Sequence, residues 1–107
     1  MFGPEIAIGP GKADLLEAIA KSGSISESAR RLGMSYRRAW LLVDTMNRCF
    51  LEPLVSSATG GSGGGGAQLT PFGHKVLATF RRLESRVERA LDQPLEELSA
   101  LLSDRPR

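Results

Sequence analysis

Residues 23–47, GSISESARRLGMSYRRAWLLVDTMN, decide the fold class of this chain. Ser24 and Glu27 have the spacing of a capping box, which predicts a helix that begins at Ser24. In a capping box each of the two side chains accepts a hydrogen bond from the backbone amide of the other residue. Gly33 is predicted to end that helix, and Ser35 is predicted to cap the next one, which runs to about residue 47. Two short helices joined at a glycine are typical of a helix-turn-helix.

Small and apolar residues at fixed positions support this assignment. Ala29 lies four residues before Gly33 and lets the two helices approach each other. In the second helix, Ala39, Val43 and Met46 recur at steps of four and three, which predicts a buried stripe. A compact helical hairpin in a protein that does not bind DNA can show the same pattern, so that alternative stays open at this point.

The residues upstream predict a strand and a helix. Residues 5–8 form a short apolar run typical of an edge strand. The Gly-Pro-Gly sequence at 9–11 is predicted to end this strand and to interrupt regular secondary structure. From Lys12 to Ser22, apolar residues recur on one side of a helix, which predicts the first helix of the fold.

Downstream, residues 54–57 and 67–69 predict the two strands of a hairpin. The segment between them, TGGSGGGG at residues 59–66, is too rich in glycine to pack a core, so we predict that it forms the tip of a wing. The tip formally satisfies the G-x-G-x-x-G pattern of dinucleotide-binding sites. That pattern must open a helix inside a strand-helix-strand unit, whereas here a second strand follows, so we do not predict a nucleotide site.

A long helix is predicted after Thr70, with Pro71 at its first position. Its apolar positions alternate at steps of four and three and form a seam suited to a second helix, made of Val76, Phe80, Leu83, Val87 and Ala90. Pro94 is predicted to break this helix, and a short last helix is predicted around the leucines at 95–102. The predicted fold is therefore mainly α with a small β-hairpin wing: a winged helix-turn-helix at 1–70 and a dimerisation helix with a short C-terminal helix at 71–107.

The positive charge of the chain is concentrated in one stretch. The formal net charge is only +2 over 107 residues, but residues 30–48 contain five arginines against Asp44 alone. Arginine binds phosphate and guanine through two parallel hydrogen bonds, so the stretch predicts contact with a nucleic acid.

The first turn of the second helix of a helix-turn-helix enters the major groove. Arg37 is predicted to lie opposite the buried stripe and is the best candidate for a base contact. Trp40 lies beside the stripe, where a core position is the commoner role of a helical tryptophan and a DNA contact is the alternative. The predicted DNA contacts are Arg30, Arg31, Ser35, Tyr36, Arg37, Arg38, Trp40 and Leu41 on the helices and Gly61, Ser62, Gly63 and Gly64 in the wing tip.

Other functional classes receive little support. Cys49 is the only cysteine and His74 the only histidine, so neither a thiolate zinc site nor a catalytic set is predicted. We therefore expect no enzyme activity, no metal and no cofactor in this chain. The start lacks a signal peptide and no apolar run approaches membrane-spanning length, so a cytoplasmic protein without membrane contact is expected.

Several segments of the chain resemble the N-terminal DNA-binding domain of ModE-type molybdate-responsive transcriptional regulators, a LysR-like winged helix. The segments are residues 23–26, 33–40, 46–47, 54–55, 59–67 and 69–73. The resemblance implies a bacterial homodimer that binds operator DNA near molybdate-transport or molybdoenzyme genes.

Two departures from the family pattern change what the resemblance implies. In that family molybdate is usually sensed by C-terminal domains, and a chain ending at Arg107 has no room for them. Molybdate is therefore suggested as a ligand only by the family resemblance. Ser62 stands where relatives often have a basic wing residue, so the wing is expected to bind phosphate through backbone amides. The chain is expected to be either a stand-alone relative or a DNA-binding fragment.

Two functions are weighed on these observations. The first is a sequence-specific DNA-binding transcriptional regulator of the ModE type that acts on double-stranded DNA as a homodimer and lacks the molybdate-sensing domain. The second is a protein-interaction adaptor in which the winged helix is only a scaffold and the long helix binds another protein.

Overall fold

The computed structural model describes residues 8–58 and 66–105, and these form four helices and one antiparallel hairpin. The predicted fold class, mainly helical with a two-stranded wing, is confirmed. The elements are α1 Pro10–Ser22, α2 Ile25–Arg31, α3 Tyr36–Cys49, β1 Val55–Ala58, β2 Gly66–Leu69 and α4 Pro71–Ser99.

Helix α1 begins earlier than the sequence predicted. Pro10 occupies the first helical position, where its missing N–H costs nothing, and the Ala13 amide donates to the Gly9 carbonyl at 2.8 Å. The interruption predicted at 9–11 is therefore confined to Gly9, since Pro10 and Gly11 belong to α1. Residues 5–7 of the predicted edge strand lie outside the described residues, and Ile8 packs into the core without forming a strand. The helix ends at Gly23, whose φ of 71° is a left-handed conformation that favours glycine.

The capping box predicted at the start of α2 forms only in part. The Ser24 hydroxyl accepts from the Glu27 amide at 3.0 Å, as predicted. The Glu27 carboxylate does not return to the Ser24 amide, because that amide donates to the Ser22 hydroxyl at 3.2 Å and Glu27 instead binds two arginines. The buried Ser28 hydroxyl donates to the Ser24 carbonyl at 2.7 Å, so three serines fix the turn between α1 and α2.

The turn of the helix-turn-helix lies where the sequence predicts. Gly33 has a φ of 70°, and the Met34 amide donates to the Ala29 carbonyl at 3.0 Å. Ser35 then caps α3 by accepting from the Arg38 amide at 3.1 Å. The predicted stripe of Ala39, Val43 and Met46 is buried in the core.

The core is formed where α1 and α3 meet the hairpin. Its fully buried large side chains are Leu15, Leu16, Ile19, Met46 and Leu54. In the hairpin, Val55 pairs with Leu69 and Ala58 with Gly66, so the inner face of the wing joins the core near its base. The Ala67 amide donates to the Gly23 carbonyl at 3.0 Å, which attaches β2 to the end of α1. The tip at 59–65 lies outside the described residues.

Asn47 joins α3 to the wing formed by β1 and β2. Its amide oxygen accepts from the Leu54 and Val55 amides at 2.8 and 3.1 Å, and its amide nitrogen donates to the Val55 carbonyl at 3.1 Å. One side chain thus satisfies backbone groups at the start of β1 and fixes the wing against α3.

Helix α4 is attached to the same end of the hairpin. The Thr70 hydroxyl accepts from the Gly73 amide at 2.8 Å and donates to the Pro53 carbonyl at 2.7 Å. Gly73 is buried against Leu54: an added Cβ would overlap the Leu54 carbonyl oxygen and lie 2.9 Å from its carbonyl carbon. The start of α4 therefore crosses the backbone just before β1 at a position that only glycine fits.

The predicted break at Pro94 and the separate last helix are wrong. Helix α4 continues through Pro94 to Ser99, although a proline has no amide to donate to the Ala90 carbonyl. The Leu-Glu-Glu-Leu sequence that follows consists of good helix formers, so the helix resumes after the loss of one hydrogen bond. The molecule measures 60 × 30 × 22 Å, because the far part of α4 extends beyond the body.

Candidate nucleic-acid interface

The outer side of α3 presents the side chains predicted to contact DNA. Tyr36 is 56% exposed, Leu41 is 47% exposed, and Arg37 and Arg38 are also exposed. The core stripe lies opposite Arg37 and Leu41, so these two side chains point away from the body, whereas Tyr36 faces the cleft between α3 and the hairpin. The Ser35 hydroxyl, predicted as a contact, is used to cap α3.

Trp40 lies outside the core. It is 47% exposed, so its commoner expected role as a core tryptophan is wrong. With Tyr36, one turn earlier, it lines a cleft between α3 and the hairpin, together with Asn47, Ser56 and Ser57 among others. An aromatic wall beside an exposed helix and a wing is suited to contact with a sugar or a base edge.

The five arginines of the basic stretch differ in their partners. Arg30 binds Glu27 through two nitrogens, at 2.6 and 3.0 Å, and Arg31 binds the same carboxylate at 3.2 Å. Arg48 binds Asp44 at 3.0 Å, one turn earlier on α3. These pairs are exposed, so each contributes little to stability, but together they cancel much of the local charge.

Hydrogen bonds from Arg30 and then Arg31 hold the pKa of the Glu27 carboxyl below its ordinary value. Glu27 therefore stays ionised near neutral pH, and a phosphate must compete with it for the two arginines. The predicted contacts Arg30 and Arg31 are exposed, but their charges are already partly neutralised, and Arg31 lines a groove beside α1.

Arg37 and Arg38 have a different status. Within residues 8–58 and 66–105 no ion pair involves either of them, although both stand on the first turn of α3. They are therefore the charges of the basic stretch most available to a polyanion.

The wing contributes an outer face and a predicted tip. Ser57 and Gln68 on the strands are exposed. The predicted contacts Gly61, Ser62, Gly63 and Gly64 lie outside the described residues and stay predictions.

The seam predicted on α4 divides into two parts. Val76 and Phe80 are half-buried against the body, beside Phe72, whose ring meets Phe50 edge-on at 6.5 Å. Leu83 and Val87 are 54% and 49% exposed. Ala90 is also exposed. The apolar row continues along the helix through Leu91, Leu95 and Leu98.

Leu91 is not part of the seam predicted from the sequence, because that prediction assumed steps that alternate strictly between four and three residues. The observed row repeats after eleven residues: Val76 is followed by Val87 and Leu98, and Phe80 by Leu91. Eleven residues correspond to 3.67 per turn, which keeps a row on one side of a nearly straight helix. We refer to Leu83, Val87, Leu91, Leu95 and Leu98 as the apolar row of α4.

The remaining candidate residues carry no chemistry of their own. His74 is exposed, and Cys49 is half-buried rather than fully buried. Among the described residues no cluster of three histidine, cysteine or acidic side chains could hold a metal ion. A search of the same residues finds no helix with the length and apolar character needed to cross a membrane.

Comparison with known proteins supports the resemblance seen in the sequence. No protein-family model matches the chain. It is 46% identical over 85 residues to the molybdenum transport protein ModE of Azotobacter vinelandii, covering 79% of this chain and 32% of that protein. It is 40% identical over 101 residues to the DNA-binding transcriptional dual regulator ModE of Escherichia coli K12, covering 88% of this chain and 38% of that protein. The chain thus spans about a third of the length of the curated relatives it matches.

Among solved structures, the fold matches DarR of Vibrio fischeri, an LTTR family member solved in complex with DNA. The TM-score is 0.65 at 18% sequence identity, and the match covers 91% of this chain and 31% of that chain. At this identity the match shows the fold alone.

Proposed function

We propose, from the premise that this chain is related over most of its length to ModE-type regulators, that it is the DNA-reading part of a transcription regulator. Its operators would lie at genes of molybdenum uptake or molybdoenzymes, since the relatives are named for molybdenum transport. In this proposal residues 1–70 read DNA and residues 71–107 provide dimerisation.

The observation that carries the proposal is the pair of arginines without acidic partners on the first turn of α3. In winged helices this turn enters the major groove, where an arginine reads guanine through two hydrogen bonds. We assign Arg37 to a base contact, because it lies opposite the buried stripe. Arg38 and Tyr36 flank it and are assigned to the sugar-phosphate backbone.

The neighbouring surfaces extend this interface. Trp40 and Leu41 are assigned to the groove wall, where an apolar side chain can contact a thymine methyl group. The wing tip, with Gly61, Ser62, Gly63 and Gly64, is assigned to phosphate contact through backbone amides. Two such interfaces in a symmetric dimer would read half-sites about one helical turn, roughly 34 Å, apart.

The first test is the binding of DNA selected from a pool of genomic fragments, with wild type compared with Arg37→Ala. We expect the variant to lose about 10- to 100-fold of its affinity for the selected site, the value of a lost bidentate base contact. Its preference for that site over random DNA is expected to fall with the affinity. The measurement is a fluorescence titration at several salt concentrations.

Arg82→Ala is the matched control, because Arg82 is an exposed arginine of α4 whose side chain donates to the Thr79 hydroxyl at 3.3 Å. It removes the same charge from a different part of the molecule and is expected to bind DNA as the wild type does. Unchanged affinity and sequence preference in Arg37→Ala would show that the recognition helix is wrongly assigned.

Glu27→Gln tests whether Arg30 and Arg31 contact phosphate. Removing the carboxylate frees both arginines, so affinity for duplex DNA of any sequence is expected to rise about 3- to 10-fold at low salt. The slope of log affinity against log salt is expected to steepen by up to about two, one for each new phosphate contact. Glu88→Gln, at an exposed position of α4, is the control for charge alone. A slope equal to that of the control would remove both arginines from the interface.

A further inference from the structure

Arg81 connects the long helix to the body through two carboxylates and binds a third on its own helix. Its Nη2 atom lies 2.8 Å from Asp14 and 3.2 Å from Glu17, both on α1, and its Nη1 atom lies 2.9 Å from Glu84 on α4. Arg81 is half-buried, unlike Arg82 beside it, which is exposed. The hydrogen bonds to Asp14 and then Glu84 raise the pKa of the Arg81 guanidinium, so it remains charged.

The position of this cluster affects the direction of α4 more than the stability of the fold. Exposed ion pairs add little to the free energy of folding, and the apolar contacts of Val76 and Phe80 already hold the start of α4 on the body. Apolar contacts are not directional, however, so they permit the helix to tilt. A planar guanidinium whose two nitrogens bind carboxylates on separate helices restricts that tilt, because its hydrogen bonds have fixed directions.

Helix α4 has two fixed points on the body. The first is Gly73, buried against Leu54, and the second is Arg81, eight residues or about 12 Å further along the helix axis. Beyond Glu84 every residue of α4 is exposed, so among residues 8–58 and 66–105 no further contact sets the direction of this part. The apolar row lies on it.

We propose that Arg81 is a positioning residue that sets the angle between α4 and the DNA-reading surface, and thereby the distance between half-sites that the dimer accepts. This inference rests on the proposed function. Leu95 lies fourteen residues, about 21 Å, beyond Arg81, so a tilt of about 10° moves it by about 4 Å. That displacement is close to one base-pair step of about 3.4 Å, and two-fold symmetry applies it to both subunits.

The test measures spacing preference with the full chain. Duplexes carry two copies of the selected half-site whose separation changes by one base pair at a time, and wild type is compared with Arg81→Gln. We expect the wild type to prefer one separation by about tenfold over its neighbours, a typical cost of a displaced contact set. In Arg81→Gln the preference is expected to shrink to about threefold or less, while affinity for a single half-site and the dimer mass stay unchanged.

Two further variants make the result specific. Arg81→Lys keeps the charge but loses the planar fork, so it is expected to show the weakened preference of Arg81→Gln. Arg82→Gln removes a neighbouring charge and is expected to keep the wild-type preference. If Arg81→Gln does not fold, the double variant Asp14→Asn with Glu17→Gln releases the same arginine from α1, and its spacing profile decides the question.

A wild-type spacing preference that Arg81→Gln, or the double variant in its place, retains in full would overturn the positioning role alone. A wild-type chain that binds both half-sites without any preferred separation would overturn more than the role of Arg81. It would also overturn the part of the proposed function in which a symmetric dimer reads two half-sites. The two failures are therefore distinguished by the wild-type profile.

Discussion

Replacing Val87 with aspartate is expected to convert a dimer of this chain into monomers while leaving the fold intact. Val87 lies in the middle of the apolar row of α4 and is 49% exposed, so its replacement is expected to cost the isolated chain little. In a dimer the same position is covered by the partner helix, and a carboxylate buried there without a partner is strongly unfavourable.

The effect on DNA binding is expected to be larger than that of any single base contact. A dimer binds its second half-site at high effective concentration, so the loss of dimerisation is expected to reduce affinity for a two-half-site duplex by about 100-fold or more. Affinity for a single half-site is expected to remain that of the wild type. Sedimentation or light scattering at several protein concentrations, followed by titration with both duplexes, measures the two quantities.

Ser85→Asp is the matched control, because Ser85 is exposed on the side of α4 away from the row and receives the same new charge. It is expected to remain dimeric. A Val87→Asp variant that stays dimeric would show that the row is not the interface. A wild-type chain that is monomeric and binds no DNA would favour the adaptor function, in which the row binds another protein.

Gly73→Ala is expected to destabilise the fold by about 3 kcal/mol, although alanine is the better helix former. The added methyl group would overlap the carbonyl oxygen of Leu54, and that carbonyl also accepts the Thr70 amide at 2.9 Å, so backbone rather than a flexible side chain must move. For a domain of this size the midpoint of thermal unfolding should fall by roughly 10–20 °C.

Gly11→Ala adds the same methyl group to a helix where nothing lies within 4 Å of it. It is expected to be neutral or to stabilise by up to about 1 kcal/mol, the propensity difference between the two residues. Unfolding by urea and by heat, at equal protein concentration, compares the variants. Equal stability of Gly73→Ala and Gly11→Ala would mean that the crossing of α4 and Leu54 tolerates a side chain.

Features that depend on neighbours along the chain were predicted well. Ser24, Ser35 and Thr70 each cap the helix that follows them, and Gly33 forms the turn, because these residues act on backbone groups within three or four positions. The buried stripe of α3 follows from helical periodicity in the same way. The helix-turn-helix and its exposed arginines therefore follow from local rules.

Features that depend on distant or competing partners were not predicted. The role of Asn47 requires the start of β1 to lie beside the end of α3, and the role of Arg81 requires α1 to lie beside α4. Glu27 had three nearby donors, and two arginines bound it in place of the cap amide. The course of the helix through Pro94 depends on the helix formers after it, which outweigh one missing hydrogen bond.

The attachment of the wing by Asn47 has a consequence for how such a protein changes during evolution. The residues that hold α3 to the wing and the core lie on its inner side or at its end, whereas Tyr36, Arg37 and Leu41 lie outside this framework. Exposed positions tolerate substitution at little cost in folding free energy. If these outer positions read DNA as proposed, a duplicated gene can acquire a new target sequence through a few substitutions there, while the inherited scaffold continues to fold.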